Sequence, residues 1–137
     1  STLFYPEGGG QQSDLGVINW DDNESKVIDV QKIGDVIIHY LEGEIPKVGM
    51  QVRGIVDDKR RSGLSIHHTA THLVGAAARQ ILGPHVWQAG ASKHTDRARL
   101  DITHHRRLTR EVIDNLETTV NQLVLADHPV TTQFYSR

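Results

Sequence analysis

The stretch LSIHHTATHLVGAAARQIL, residues 64–82, decides how the chain divides into elements. Leucine, isoleucine and alanine recur in it at the three- and four-residue spacing of an α-helix. Ser62 or Ser65 is expected to be the N-cap, and Gly83 with Pro84 is expected to stop the helix. We therefore predict a helix from Leu64 to about Leu82.

The residues before this helix have the pattern of short strands. Four segments rich in β-branched side chains alternate with turns rich in Gly, Pro, Asp and Asn. The segments are GVINW (16–20), SKVIDVQKI (25–33), DVIIHYLE (35–42) and MQVRGIVDD (50–58). Strands at this spacing are typical of a small antiparallel barrel or sandwich, so we expect an N-terminal antiparallel β-barrel over residues 1–58.

The residues after the helix alternate between strand and helix patterns. VWQAGASKH (86–94) and RARLDIT (97–103) are predicted to pair as a hairpin, and PVTTQFY (129–135) to resume a strand. A second helix is expected from about Thr109 to Ala126, where aliphatic residues recur at helical spacing. Composition changes near residue 59, so residues 59–137 are predicted to form a second, α+β subdomain with an antiparallel sheet.

The helix carries a pair of histidines four residues apart. His68 and His72 therefore lie on one face, with Cβ atoms about 5–6 Å apart, and two imidazoles at this distance suit Zn²⁺. Spacing alone leaves open whether the pair binds metal or is merely packed. His67 points about 100° away and is the poorer ligand. A zinc protease needs Glu directly after the first His, but Thr69 stands there, so the pattern argues against a peptidase.

Bulk composition is that of a soluble globular chain expected in the cytoplasm. Hydrophobic residues make up 37% and charged residues 23%, and no apolar run reaches the roughly 20 residues of a membrane span. We read no secretory signal, and the absence of Cys excludes a disulfide scaffold. The net charge is −2, yet residues 93–110 hold six Lys or Arg against two Asp. This local excess indicates either a surface for phosphates or an ordinary solvated face.

Two long motifs carry a resemblance to a known family. The stretch HHTATHLVGAAARQILGPHVWQAGASKHTDRARLDITHH (67–105) resembles the editing domain of alanyl-tRNA synthetase, particularly the archaeal type. FYPEGGGQQSDLG (4–16) resembles the Gly-rich segment at the start of that domain. Freestanding trans-editing relatives share both motifs, and the threonyl-tRNA synthetase editing domain shares the histidine pair. The resemblance covers essentially all 137 residues.

The resemblance implies a zinc site and an editing glutamine. His68 and His72 match two of the family's zinc ligands, and Gln88 matches a glutamine that acts in editing. The family's other two ligands lie in a later Cys-x-x-x-His segment, which this chain does not reach. The zinc site is therefore expected to be incomplete, the chain to be a fragment of a synthetase, and its own hydrolysis to be impaired.

The implied reaction is hydrolysis of Ser-tRNA(Ala) and Gly-tRNA(Ala), in a protein that elsewhere ligates alanine to its tRNA with ATP and Mg²⁺. An alanine pocket cannot strongly exclude glycine or serine, so a second site must remove these errors. Polar side chains can select serine through its hydroxyl. The candidates for this role are Thr69, Thr71 and Gln88.

The same resemblance suggests which residues meet the tRNA acceptor end. Gly8, Gly9 and Gly10 with Gln11 are expected to wall the pocket, because glycine allows close backbone approach; otherwise the glycines form a plain turn. Four arginines are candidates for acceptor-stem phosphate contact: Arg97, Arg99, Arg106 and Arg107. Arg99 could equally pair with Asp101. Four histidines are interpreted as surface or capping residues: His85, His94, His104 and His105.

Two other functions remain open from the sequence. One is a freestanding deacylase that corrects the same error in trans. The other is a non-catalytic tRNA-binding module whose histidines are only packed in a helix. Zinc content and deacylation of mischarged tRNA distinguish these possibilities, and the oligomeric state is not predicted.

Overall fold

The computed structural model describes residues 2–129, 131 and 133 and has an α+β architecture, as the sequence predicts. The elements in chain order are β1 (Gly16–Trp20), β2 (Asn23–Ile33), β3 (Val36–Glu42), β4 (Arg53–Val56), α1 (Asp58–Leu82), β5 (Gln88–Lys93), β6 (Ala98–Ile102) and α2 (Arg110–Leu125). All four strands predicted before the first helix are present. The PVTTQFY segment lies largely outside the described residues.

The first four strands form one antiparallel sheet in the order β3-β2-β1-β4. Gly16 on β1 lies opposite Val27 on β2 and opposite Val56 on β4, so β1 is an inner strand. A barrel closes only when its two outer strands pair with each other. In the part of the chain that the structure describes, β3 and β4 form no ladder with each other. The closed barrel expected over residues 1–58 is therefore not found, and an open sheet stands in its place.

One face of this sheet carries a hydrophobic core. The buried residues are Phe4, Ile18, Trp20, Val27 and Val30. Ile18 and Trp20 are two residues apart because side chains of a strand alternate between its faces. On β2 the pairing register shifts between Val27 and Asp29, and this irregularity allows Val27 and Val30, three residues apart, to be buried together.

Helix α1 begins earlier than the sequence indicates. Asp57, rather than Ser62 or Ser65, is the N-cap, and its carboxylate accepts a hydrogen bond from the Arg60 amide at 3.0 Å. The helix therefore starts six residues before Leu64. Its C-terminal end is as predicted: Gly83 has φ of +114° and donates its backbone N–H to the carbonyl of Arg79.

The elements after α1 match the predicted hairpin and second helix. β5 and β6 are antiparallel, with Gln88 opposite Ile102 and Lys93 opposite Ala98. Thr109 caps α2, its hydroxyl accepting a hydrogen bond from the Val112 amide. α1 contacts α2 as well as both strands of the hairpin, so it is the central element of this half. No helix among the described residues is long and apolar enough to cross a membrane.

Candidate functional site

The histidine pair lies on one face of α1, as its spacing predicts. The ring centroids of His68 and His72 are 5.1 Å apart and the ring planes differ by 24°. His68 is half-buried and His72 is exposed. Two stacked imidazoles, one of them open to solvent, provide adjacent nitrogen donors for a cation or a polar ligand.

Gln11 fixes the orientation of His68. The Nδ1 atom of His68 is 2.7 Å from Oε1 of Gln11, whose side chain is only 4% exposed. An amide oxygen only accepts hydrogen bonds, so Nδ1 carries the hydrogen and Nε2 keeps its lone pair. This is the arrangement found in metal-binding histidines, where a second group orients the ring through its other nitrogen.

Gln11 is held in place by a tight glycine turn. Gly8 and Gln11 exchange two backbone hydrogen bonds, of 3.1 and 2.9 Å. Gly9 and Gly10 have φ of +58° and +77°, values that favour glycine. A Cβ atom at Gly9 would lie 3.8 Å from Cε1 of His68, so the turn stands directly beside the histidine pair.

Lys93 joins this glycine turn to strand β5. Its backbone N–H donates to the carbonyl of Gly10 at 2.7 Å, and its ammonium donates to the carbonyl of Gly9 at 2.6 Å. The Lys93 residue is 1% exposed. A Cβ atom at Gly10 would lie 2.1 Å from the carbonyl oxygen of Ala91, so only glycine fits this close approach.

The electrostatics of this region keep His68 neutral. Burial lowers the pKa of His68 below its ordinary 6.5, and the Lys93 ammonium and then His72 lower it further. Burial also lowers the pKa of Lys93 itself. Since desolvation and a nearby cation both disfavour the imidazolium, His68 presents a neutral nitrogen donor near pH 7.

A pocket of about 200 Å³ opens beside His72. Its lining residues are Thr71, His72, Gly75, Ala76, Arg79, Val86, Trp87, Gln88 and Ile102. Gln88, at the start of β5, is exposed to the pocket, and the Arg79 guanidinium lies 3.9 Å from the centre of the Trp87 ring. The hydroxyl of Thr71 donates to the carbonyl of His68 at 2.7 Å, so its oxygen remains free to accept a hydrogen bond.

The structure does not bring Thr69 to this pocket. Thr69 lines a separate hollow together with Ile66, Leu73 and Val124, on the side of α1 that faces α2. His67 is also turned away, with Nδ1 2.6 Å from the carbonyl of His94. Of the predicted polar residues, Thr71 and Gln88 share a pocket with His72, whereas Thr69 does not.

The predicted arginines lie on the exposed surface of the hairpin and the loop after it. Arg97 pairs with Asp96 at 3.3 Å and Arg99 pairs with Asp101 at 2.8 Å. The pairing of Arg99 is the alternative that the sequence already left open. Such exposed pairs are worth little energetically, so both arginines can exchange their partners for a phosphate.

Comparison with known proteins identifies the family. Residues 1–60 match the family model of class II (A) tRNA synthetases. Alanine–tRNA ligase of Methanopyrus kandleri is 50% identical over 136 residues, which are 99% of this chain and 15% of the relative. That of Metallosphaera sedula is 53% identical over 131 residues, 95% of this chain and 14% of the relative. That of Caldivirga maquilingensis is 46% identical over 137 residues, 100% of this chain and 15% of the relative.

The chain belongs to the alanyl-tRNA synthetase family. It spans about 15% of the length of these curated relatives. The similarity extends over both halves of the structure, from the Gly-rich turn through the histidine helix to the hairpin that carries Gln88.

The residues of this alanyl-tRNA synthetase segment fit half of a zinc site. His68 and His72 could provide two of the four ligands that zinc usually takes in proteins. Within residues 2–129, no third His, Asp or Glu joins them in a compact group of ligand atoms. The lone pair that Gln11 leaves on Nε2 of His68 suits a metal ligand, so the donor chemistry fits although the set is incomplete.

Two residues of the site were not assigned their roles from sequence. Gln11 was expected to wall the pocket, whereas its side chain contacts His68, 57 positions away in the chain. Lys93 was counted only as part of the basic stretch, yet it is buried and holds the glycine turn. No local sequence pattern predicts either contact, because both contacts depend on tertiary packing.

Proposed function

We propose that this chain is the editing part of an alanyl-tRNA synthetase, hydrolysing Ser-tRNA(Ala) and Gly-tRNA(Ala). Its partner is the acceptor end of tRNA(Ala), and the cytoplasm is its location. Alanine ligation, with ATP and Mg²⁺, belongs to other parts of the protein. The observation that carries the proposal is the pocket shared by Thr71, His72 and Gln88, directly beside His68 and the glycine turn.

The pocket has the polar groups needed to select serine over alanine. The amide of Gln88 offers donors and an acceptor, and the oxygen of Thr71 offers an acceptor. A seryl hydroxyl satisfies these groups, whereas an alanyl methyl leaves them unpaired, at about 1–3 kcal/mol each once the bound aminoacyl group shields them from water. One such group corresponds to roughly 5- to 150-fold discrimination at 25 °C.

His68 and His72 would hold the zinc ion that the family resemblance implies. When bound, zinc supplies a Lewis acid for the ester carbonyl, an anchor for the amino acid, or an activated water. The chain's own contribution is to keep His68 neutral, through burial and the nearby Lys93 ammonium, and correctly oriented, through Gln11. Both effects act before any metal is bound.

The acceptor end would enter beside the glycine turn, over the face of α1 that carries His68 and His72. Gly9 lies beside His68 without a side chain, which leaves room for the terminal ribose. Four exposed arginines would meet acceptor-stem phosphates: Arg97, Arg99, Arg106 and Arg107. The binding contributed by such contacts falls with increasing salt, so this part of the proposal predicts salt-sensitive tRNA affinity.

The test is deacylation by the full-length protein carrying Gln88→Ala. We expect the rate of Ser-tRNA(Ala) hydrolysis to fall roughly 5- to 150-fold, the loss of one hydrogen bond to the seryl group. Gln51→Ala, at an exposed residue that is not part of the pocket lining, is the matched control and should leave the rate unchanged. Alanine ligation should be normal in both variants, which shows that the rest of the protein is intact, and circular dichroism of this segment carrying Gln88→Ala checks that the segment itself is folded.

The outcomes separate the competing functions. Failure of the unmodified protein to deacylate Ser-tRNA(Ala), with tRNA binding intact, favours the non-catalytic module. Full activity after His68→Ala or His72→Ala removes the pair from the site. A normal serine-to-alanine rate ratio in Gln88→Ala removes Gln88 from substrate selection.

A further inference from the structure

A second group of histidines stands at the open end of the β5–β6 hairpin. His85 precedes β5, and His104 and His105 follow β6. One ring nitrogen from each of the three lies within 4.8 Å of the others, and Nε2 of His85 is 2.9 Å from Nδ1 of His104. The sequence predicts them as surface or capping residues, and His85 and His105 are indeed exposed, but their clustering was not predicted.

The backbone holds the two arms of this cluster together. The hydroxyl of Thr103 donates to the carbonyl of His85 at 2.8 Å and accepts from the Trp87 amide at 2.8 Å. The Thr103 amide also donates to the carbonyl of Trp87 at 2.9 Å. Gly83 leaves space for the His85 ring, because a Cβ atom there would lie 3.2 Å from Nδ1 of His85.

The three rings are packed against one another, and no Asp or Glu of the described residues belongs to the group. Ring centroids are 5.2 Å apart for His85 and His104, 5.4 Å for His85 and His105, and 5.1 Å for His104 and His105. Three imidazolium ions at these distances would repel one another, whereas three neutral imidazoles present three lone pairs. His85 and His105 are exposed, so a solvated ion can reach them.

We propose that His85, His104 and His105 form a binding site for a divalent transition ion such as Zn²⁺, distinct from the His68–His72 pair. Tetrahedral zinc with Zn–N bonds of about 2.0–2.1 Å needs ligand nitrogens roughly 3.3–3.4 Å apart. The observed spread, at most 4.8 Å, would reach this value on metal binding by rotation of the three side chains, of which His85 and His105 are exposed. Water completes the fourth position, as in other three-histidine sites.

The ion would join the two arms of the hairpin next to the pocket. Gln88 and Ile102, which face each other at the open end of the hairpin, both line the pocket of the proposed editing site. His85 lies three residues before Gln88, and His104 two residues after Ile102. A metal bridge here would stabilise the hairpin end that carries Gln88, and this role does not depend on whether the pocket edits.

The experiment is titration of the metal-free chain with Zn²⁺ by calorimetry and with Co²⁺ by visible absorption. The double variant His68→Ala/His72→Ala should still bind one equivalent of Zn²⁺. The double variant His85→Ala/His104→Ala should bind it at least tenfold more weakly. His128→Ala, at an exposed histidine beyond α2, is the control and should bind like the unmodified chain.

Two further readouts separate this site from a merely structural cluster. Zn²⁺ should perturb the imidazole NMR signals of His85, His104 and His105 and should raise the Tm of the His68→Ala/His72→Ala variant. Circular dichroism of each metal-free variant checks that it is folded. The proposal is overturned if the unmodified chain binds no Zn²⁺, or if binding is lost with the His68–His72 pair and kept without the three-histidine cluster.

Discussion

Replacing Gly10 by Ala should lower the free energy of unfolding by more than the cost of placing alanine in a left-handed backbone conformation. Gly10 has φ of +77°, and a new Cβ atom would lie 2.1 Å from the carbonyl oxygen of Ala91. Cβ atoms essentially never come closer than 3.0 Å to such a neighbour, so turn and strand must separate by about 1 Å. The hydrogen bond from the Lys93 amide, 2.7 Å long, would then stretch to about 3.6 Å, beyond hydrogen-bond range.

Gly34→Ala is the matched control for this substitution. Gly34 has φ of +60°, yet nothing lies within 4 Å of its Cβ position. In Gly34→Ala the free energy of unfolding should therefore fall only by the cost of a left-handed backbone conformation, about 1–2 kcal/mol. In Gly10→Ala the free energy of unfolding should fall by the same amount plus about 1–3 kcal/mol for backbone groups left without partners.

The assay is urea unfolding of the metal-free chain followed by circular dichroism, with the free energy of unfolding compared at pH 7. A second readout is the nitrogen NMR spectrum of His68. Displacement of the turn withdraws Gln11, so the preference for hydrogen on Nδ1 should weaken in Gly10→Ala and persist in Gly34→Ala. Equal destabilisation by the two variants would refute the reasoning, because the close approach to Ala91 would then have no energetic consequence.

Three further predictions concern charge and capping. Lys93→Met should raise the pKa of His68 in the metal-free chain, because it removes a nearby positive charge that lowers this pKa. Lys32→Met, at an exposed site, should leave the pKa of His68 unchanged, and proton NMR titration measures the pKa in both variants. The unfolded chain protonates His68 at a higher pH than the folded chain does, so the free energy of unfolding should fall as the pH drops from 6.5 to the lowered pKa. In His68→Gln this pH dependence, measured by urea titrations, should be weaker. Asp57→Ala should cost about 0.5–2 kcal/mol of unfolding free energy, whereas Ser62→Ala, at an exposed site inside α1, should cost little.

Local pattern was sufficient to predict most elements but not how α1 begins. Period-two and helical spacing correctly predicted six strands and two helices. The basic run at residues 59–61 lies before the helix predicted from Leu64, although it belongs to the first turn of α1. Arg61 pairs there with fully buried Asp14, its Nε 2.8 Å from Oδ1, and Arg60 donates to the carbonyl of Ser13. These partners lie 47 positions away, so no window of sequence contains both sides of the contact.

The barrel expected from the sequence is not found, for a related reason. Strand patterns indicate which residues alternate between two faces, but they do not state which strands pair. β3 and β4 each satisfy the pattern and nevertheless remain outer strands. For the histidine cluster, in contrast, the strand pairing is sufficient. The pairing of Gln88 with Ile102 places His85 and His104 together at the open end of the hairpin.

The Gly-rich segment explains why the histidine pair is oriented by residues so distant in sequence. One end of the segment, at Ser13 and Asp14, is tied to the first turn of α1 by Arg60 and Arg61. Three residues earlier, the glycine turn is tied to β5 by Lys93, whose burial carries a desolvation cost that its hydrogen bonds must offset. Because the same short segment is fixed at both ends, Gln11 has little freedom to leave His68. The ring orientation of His68 therefore depends on the contacts at both ends of the Gly-rich segment.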